Sequence, residues 1–294
     1  MNGSELAEEL KRPSNFDASS LSFAADLSPL ARFAVSGLEH FTGKSSLKKR
    51  YKRFMETNQS RNDFWDDVVA ALELDLSKLS GLEAQVPDSG PLIVVANHPF
   101  GLIDGAAICW LLSRRRDDFK VVLWDVFDQQ HHGRDYFLPL DLAEDCRTAR
   151  RQNLNIRRQC IDYLQAGHSV VLFPSGSAER APGFFSQPEE LPWQPFLSKI
   201  FHASDAPVLP IFVHGHNSNL FHIGSNMSEV LRRALFLHEI KRGIGSRVDL
   251  TMGDLVQPAQ LKLWHNEGRL VESLRELTLN LRNCPSSLVM TSGN

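Results

Sequence analysis

The chain has 294 residues, 42% of them hydrophobic, and its formal net charge of -3 gives no general basic character that would favour nucleic acid as a partner. The N-terminus, MNGSELAEELKRPSNFD, is polar and acidic and does not look like a secretory signal; no stretch approaches the roughly 18–20 apolar residues of a spanning helix. The four cysteines lack metal-like spacing and are expected to be reduced thiols of a cytosolic protein: Cys109, Cys146, Cys160 and Cys284.

The N-terminal part of the chain is predicted to be helical after a flexible tail at residues 1–26. The segment 28–43 begins with a capping serine followed by proline and ends at a glycine, which is typical of a complete helix. A second amphipathic pattern covers 45–56, and a third helical pattern covers 63–74.

The segment 45–56 carries most of the functional information in this region. Its apolar side is formed by Leu47, Tyr51, Phe54 and Met55, and its other positions hold Lys48, Lys49, Arg50, Lys52 and Arg53. This pattern is typical of a helix that lies on an anionic membrane, although the apolar side could equally pack on the domain. We expect residues 27–80 to form an N-terminal helical segment that associates with a membrane surface.

From residue 91 onward, short β-branched runs alternate with helical patterns. Strands are predicted at 91–96, 119–124, 168–173, 207–213 and 247–252, and helices at 105–116, 153–167 and 227–241. This alternation indicates an α/β domain at 81–258 with a largely parallel central sheet flanked by helices. The C-terminal segment 259–294 is predicted to consist of a last helix near 259–282 and a tail.

Polar, glycine-bearing segments follow three of the predicted strands: NHPFGLIDG after 91–96, FPSGSAER after 168–173 and HGHNSN after 207–213. In open α/β sheets, ligands bind in the crevice outside the carboxyl ends of the strands. The three segments are therefore expected to share one functional edge of the sheet.

His98 and Asp104 lie in the first of these segments. With a helix starting near Gly105, Asp104 lies at the helix cap, and the intervening loop can fold His98 back towards it. An aspartate that binds one ring nitrogen fixes the tautomer and leaves the other nitrogen as a base. The alternative is that Asp104 only caps the helix and His98 is an ordinary loop residue.

The other two segments carry weaker signals. In FPSGSAER, Gly176 gives the backbone freedom to turn, and the hydroxyls of Ser175 and Ser177 with the cation of Arg180 favour binding of an anion. The alternative is that the segment is a solvated loop. A nucleophilic Ser175 is disfavoured because the chain has no G-x-S-x-G elbow. His214 and His216 are two residues apart at a strand end, but without a further ligand at metal spacing we predict no metal site.

Together these residues resemble the lysophospholipid acyltransferase superfamily, which includes bacterial 1-acylglycerol-3-phosphate acyltransferases. That family carries N-H-x4-D, then F-P-E-G-T-R-S, then a strand with a proline-containing motif. The chain has Asn97-His98 with Asp104 one residue further out, then Phe173-Pro174-Ser175-Gly176, and then Pro210 in PVLPIFV, so that the resemblance covers about residues 27–257.

The departures from the family pattern indicate a branch. The His-x5-Asp (HX5D) spacing, together with GHNSNLF at 215–221, is similar to hemolysin-like acyltransferases, including enzymes that O-acylate lyso-ornithine lipid and related lyso-aminolipids. Ser175 replaces the family's glutamate and Ala178 its arginine, two positions associated with the acceptor's phosphate. An acidic Glu179 beside Arg180 favours an amine-bearing head group over a dianion. A lyso-aminolipid is therefore the expected acceptor.

The resemblance implies a glycerolipid acyltransferase-like fold and an O-acyltransferase in bacterial membrane lipid synthesis. His98 and Asp104 would be catalytic, and the substrate would contact Gly101, Phe173, Pro174, Ser175, Gly176 and Arg180. Oxyanion donors are expected near Gly101 or the 175–177 turn. The acyl donor would be acyl-CoA or acyl-ACP (acyl carrier protein), with no cofactor and no metal.

The expected location is cytoplasmic, peripheral on the inner membrane. The sequence leaves three alternatives. The first is a conventional lysophosphatidic acid acyltransferase. The second is a lipid or thioester hydrolase that uses the same His–Asp pair with water. The third is a non-catalytic lipid-binding protein with this fold.

Overall fold

The apolar runs of the sequence form the strands of a sheet. The computed structural model describes residues 44–57, 63–124, 132–140, 147–179, 181, 183, 186–227 and 229–284. Within these residues the sheet has six strands. They are β1 (Leu92–Ala96), β2 (Phe119–Trp124), β3 (Phe137–Leu140), β4 (Ser169–Leu172), β5 (Val208–Val213) and β6 (Leu250–Met252).

The strands follow the order β3-β2-β4-β1-β5-β6. All neighbours are parallel except β5 and β6, which are antiparallel. In the register, Ile93 of β1 lies between Val170 of β4 and Val208 of β5. The predicted α/β class with a largely parallel central sheet is confirmed.

Helices precede, connect and follow these strands. They are α1 (Lys44–Thr57), α2 (Phe64–Ala71), α3 (Leu102–Ser113), α4 (Arg147–Gln165), α5 (Ser198–Ser204), α6 (Asn219–Met227), α7 (Glu229–Gly243), α8 (Pro258–Asn266) and α9 (Leu270–Asn280). Short 3-10 turns lie at Ser77–Leu79, Leu82–Gln85, His132–Tyr136, Pro195–Leu197 and Leu281–Asn283.

The sheet is buried on both faces, as parallel sheets generally are. Leu92, Val94 and Ala96 of β1 face one core together with buried residues of α2 and α3. Ile93 and Val95 face a second core that contains buried residues of α4, α5, α8 and α9. Successive strand side chains point to opposite faces, so the continuous apolar run of β1 supplies both cores.

Several predicted helix bounds are wrong. The predicted helix 227–241 corresponds mainly to α7, which ends at Gly243. Its first residue belongs to a separate helix, α6, which begins at Asn219. The helix near 259–282 is interrupted after α8, where Gly268 has a φ of +73° that a continuous helix does not permit. Helix α4 begins at Arg147, before the predicted 153.

The strand predictions also need correction at two places. β3 is not predicted from the sequence because it is short and contains Pro139, which lacks a backbone donor. The proline is tolerated because β3 is an edge strand among the described strands, where it pairs with β2. The predicted strand 247–252 is reduced to β6, and Arg247 instead forms an isolated bridge with Asp75. The predicted tail at 1–26, the predicted helix at 28–43 and Cys146 lie outside the described residues.

Candidate active site

Three loops meet at the carboxyl ends of neighbouring strands β4, β1 and β5, as their polar segments predict. The buried side chain of Asn97 joins them. Its Oδ1 accepts the Val213 amide at 2.7 Å, and its Nδ2 donates to the Val213 carbonyl at 3.0 Å and to Glu179 Oε1 at 3.1 Å. The Glu179 amide in turn donates to the His98 carbonyl at 3.0 Å. The segment that carries His98 is therefore fixed to the loops on both sides.

The imidazole of His98 faces the carboxylate of Asp104. Nδ1 lies 3.1 Å from Oδ2, and the side chain of His98 is 18% exposed whereas that of Asp104 is fully buried. The ring is not aligned for a straight hydrogen bond, and catalytic hydrogen bonds commonly tighten only with substrate bound. The ring of Phe173 packs against the imidazole, with 4.1 Å between the ring centroids. One ring nitrogen thus faces a buried anion, which leaves Nε2 for a substrate.

Asp104 is held by the backbone of the loop that it closes. Its Oδ2 accepts the amides of Phe100 and Gly101, each at 2.9 Å. The predicted position at the helix cap is wrong. Helix α3 begins at Leu102 with Gly101 as the N-cap residue, and Asp104 lies in the first turn. A carboxylate in the first turn satisfies amides that the helix cannot pair and interacts favourably with its dipole.

The backbone at position 101 requires glycine. Its φ of +84° lies in the left-handed region, and a Cβ at this position would approach the Phe236 ring to 2.7 Å. Its amide is directed to Asp104. Contact between Gly101 and substrate, and its role as an oxyanion donor, stay predictions.

The loop after β4 places Phe173 beside His98 and turns at Gly176, whose amide donates to the Phe173 carbonyl. Ser175 is buried and its hydroxyl donates to the Ser177 carbonyl at 3.1 Å. The Pro174 carbonyl accepts the Gln194 amide at 3.0 Å. Ala178 is buried, and Arg180 lies outside the described residues.

Two buried acids, Glu179 and Glu190, lie beside the loop that carries His98. The sequence predicts Glu179 as a head-group contact, but its carboxylate is buried and accepts Asn97 Nδ2. Glu190 is buried below His98 and its Oε2 accepts the His98 amide at 3.1 Å. Burial is the main cause that raises the pKa of Glu179 and raises the pKa of Glu190 to about 7. No local motif identifies Glu190, which is 92 positions from His98.

The loop after β5 supports the loop that carries His98 from the other side. The buried Asn217 donates from Nδ2 to the Pro99 carbonyl at 2.9 Å. His214 Nε2 contacts Thr251 Oγ1 at 2.7 Å, and His216 Nδ1 contacts the Asn217 carbonyl oxygen at 2.8 Å. Among the described residues, no group of three or more histidines, cysteines or acids is placed to hold a metal ion.

A base held by a buried carboxylate, at a ligand-binding edge of the sheet, can take a proton from a hydroxyl or from water. Both residues of the pair were singled out from sequence, and the structure brings them together. Their catalytic role is an inference from this geometry. Transfer and hydrolysis both need such a base.

A family model and one relative favour acyl transfer over hydrolysis. A family model described as "Acyltransferase" matches residues 46–242. The lyso-glycine lipid O-acyltransferase of Phocaeicola vulgatus is 23% identical over 204 residues, which are 69% of this chain and 68% of that protein. The crystal structure of the 1-acyl-sn-glycerophosphate acyltransferase PlsC from Thermotoga maritima matches with a TM-score of 0.44 and 15% identity, covering 85% of this chain and 94% of that one.

Proposed function

Because the chain belongs to the acyltransferase family, we propose that it moves a fatty acyl group from an acyl thioester to the hydroxyl of a lyso-lipid. The observation that carries this proposal is the His98–Asp104 pair at the carboxyl edge of the sheet, with 3.1 Å between Nδ1 and Oδ2. The similar protein from Phocaeicola vulgatus acts, by its name, on a lyso-lipid.

The chemistry follows from the position of His98. Nε2 takes the proton of the acceptor hydroxyl as its oxygen attacks the thioester carbonyl carbon. The tetrahedral intermediate then expels the thiolate, which takes the proton from the imidazolium. A new ester and a free thiol are formed. Asp104 holds the ring through Nδ1 and stabilises the imidazolium while it carries the proton.

The oxyanion of the intermediate needs hydrogen-bond donors. The amides of Gly101 and Gly176 are already engaged within the protein. Within the described parts of the loop after β4, no hydrogen bond is found for the amides of Ser175 and Ser177. These two amides are our candidates for the oxyanion site, at the second of the two places expected from the sequence, the 175–177 turn.

We propose a lyso-aminolipid as the acceptor, of the class that lyso-glycine and lyso-ornithine lipids represent. Asp104, Glu179 and Glu190 are buried around His98, and this concentration of carboxyl groups disfavours a dianionic phosphate close to the base. The buried Ala178, at the position of the family's arginine, supplies no cation. A singly charged or zwitterionic head group avoids the repulsion. The product would be a membrane lipid with two acyl chains, formed in bacterial lipid synthesis.

A competition assay tests the acceptor class. With one acyl donor and equal concentrations of lyso-glycine lipid, lyso-ornithine lipid and lysophosphatidic acid, we expect at least about tenfold higher kcat/KM for the aminolipids, equal to about 1.4 kcal/mol. Mass spectrometry of the acylated products measures this ratio, with each acceptor alone as the control. Preferred acylation of lysophosphatidic acid would contradict the aminolipid assignment and leave acyl transfer intact.

The donor is proposed to be acyl-CoA or acyl carrier protein, because both present the thioester that the reaction needs.

We further propose that the protein works at the surface of the cytoplasmic membrane, where lyso-lipids reside. No helix among the described residues combines the length and apolar character needed to cross a bilayer.

Two surface features support a membrane-facing side. Helix α1 presents exposed Lys49 and Lys52, whereas Arg50 is half-buried and donates to Glu73 Oε1 at 2.8 Å. Helix α6 begins at the catalytic edge and exposes Leu220, Ile223 and Met227 by 53%, 37% and 65%. Helix α7 packs against both α1 and α6, so that the basic and apolar side chains belong to one connected group of helices.

Charge and apolar variants test this surface separately. Replacing Lys48, Lys49 and Lys52 with glutamine should weaken binding to anionic vesicles, since each charge near the surface contributes about 1 kcal/mol. Leu220→Ser with Ile223→Ser should weaken binding to anionic and neutral vesicles alike. Leu263→Ser is a matched control, because this leucine is 49% exposed on α8. Unchanged flotation of both variants would contradict the proposed surface.

A further inference from the structure

A buried acid, Glu190, binds the backbone of the proposed catalytic histidine. Glu190 is 3% exposed. Its Oε2 accepts the His98 amide at 3.1 Å, and its Oε1 accepts Trp193 Nε1 at 3.2 Å. The acid thus binds the backbone of His98, while Asp104 faces the ring of the same residue from another direction.

The surroundings of Glu190 do not favour a charge at that position. Burial is the largest cause acting on the pKa of Glu190 and raises it, and Glu179 raises it further, whereas the His98 amide and the nearby Ser175 side chain lower it. Among the residues that the structure describes, no lysine or arginine forms an ion pair with Glu190. Burial accordingly raises the pKa of Glu190 to about 7.

An unpaired buried acid destabilises the fold once it is ionised. In the unfolded chain Glu190 ionises near its ordinary pKa of 4.5, and in the folded chain near 7. The folded state therefore binds more protons between these values, and stability falls as the pH rises from about 4.5 to about 7. A neutral glutamine would also present an oxygen to the His98 amide without this loss. The acid is therefore explained poorly by a purely structural role.

Arg275 holds the segment that carries Glu190. Its Nη2 donates to the Glu190 carbonyl at 2.6 Å, and its Nε donates to the Leu191 carbonyl at 3.4 Å. Arg275 belongs to α9, which follows the region that the family model matches. One side chain of the C-terminal helix thus contacts the peptide whose acid binds the His98 amide.

We propose that Glu190 is a positioning residue for His98, which fixes the backbone of the base and stabilises its imidazolium form, and that Arg275 positions Glu190 from the C-terminal helix. This inference rests on the proposed function of His98 as the base. A negative charge near the imidazolium lowers the energy of the step in which His98 carries the acceptor proton. Fixing its amide keeps Nε2 in line with the acceptor hydroxyl.

The central test is Glu190→Gln in the full-length protein, with acyl transfer and thermal unfolding measured at pH 5 and pH 8. We expect kcat at pH 8 to fall by about tenfold or more, with the acceptor KM within about twofold. The Tm of the variant relative to the wild type should rise between pH 5 and pH 8, because the variant has no buried charge to accommodate. A merely structural role predicts instead that kcat falls only where the Tm of the variant also falls.

Arg275→Gln gives an independent test of the second part. It should lower kcat in the same direction, and the double variant should lose less than the product of the single losses, because both act through one segment. Arg269→Gln is the matched control, since Arg269 precedes the same helix and binds Glu267 at 2.6 Å rather than the 190–191 peptide. If Glu190→Gln does not fold, Arg275→Gln with its control decides the matter alone.

Two results would overturn this inference. Wild-type kcat in Glu190→Gln would remove the positioning role, and equal effects of Arg275→Gln and Arg269→Gln would remove the coupling. Neither result affects the proposed function, which is tested by His98 itself. Retained acyl transfer in His98→Ala would instead contradict the proposed function, whatever the Glu190 variant shows.

Discussion

Replacing His98 with alanine should lower kcat/KM for acyl transfer by about a thousandfold or more. The imidazole is the group placed to take the acceptor proton, and its Nδ1 lies 3.1 Å from a buried carboxylate that supports the protonated form. Without it, a neutral hydroxyl must attack the thioester unaided. Initial rates with purified protein, measured as thiol release that depends on the acceptor, give the ratio.

A second His–Asp pair in the protein provides a matched control for this variant. His168 Nδ1 also lies 3.1 Å from an aspartate oxygen, Asp118 Oδ2. Asp118 and His168 come directly before β2 and β4, so the pair lies at the amino ends of the strands, away from His98. Arg116 Nε also donates to Asp118 Oδ1 at 2.6 Å. His168→Ala should retain activity within a few-fold. Equal losses in the two variants would show that the effect at His98 is not specific to the proposed base.

Replacing Asp104 with asparagine should lower kcat by about a hundredfold or more. Asparagine keeps an oxygen for the amides of Phe100 and Gly101, which Asp104 accepts at 2.9 Å each, so the loop retains a hydrogen-bond acceptor. The negative charge opposite the imidazole is lost, and the preferred tautomer of His98 is no longer enforced. Circular dichroism and Tm should show a folded protein with impaired transfer.

Asp118→Asn is the corresponding control, since it removes the same charge from the second pair. We expect it to affect stability rather than transfer, because Asp118 binds the buried Arg116. Unimpaired transfer in a folded Asp104→Asn variant would contradict the assignment of Asp104 as the partner of the base.

The features predicted correctly from the sequence are mostly local in the chain. Val94 and its neighbours form a fully apolar run, which predicts a buried strand. His98 and Asp104 are six residues apart, on either side of the N-terminus of α3, so that a short loop brings them together. The predicted start of α3 is too late in the chain, because the Asp104 carboxylate binds the amides of Phe100 and Gly101 and the N-cap residue is therefore Gly101.

The features that were not predicted depend on distant segments. Glu190 reaches the His98 amide across 92 positions, and its value to the site depends on the irregular segment that Arg275 holds. Asn97 is visible in the motif, but its binding to Val213 and Glu179 follows only from the neighbouring positions of β5 and β4 beside β1. Periodicity carries no information about such contacts, because it describes one segment at a time.

The most direct test of the account compares thiol release with ester formation when an acyl thioester is incubated with and without a lyso-aminolipid. A transferase should release thiol in proportion to the acylated lipid formed, and little without acceptor, and His98→Ala should lose both signals. Thiol release that is equally fast without acceptor, with free fatty acid as the product, would contradict acyl transfer and identify a hydrolase that uses the same pair.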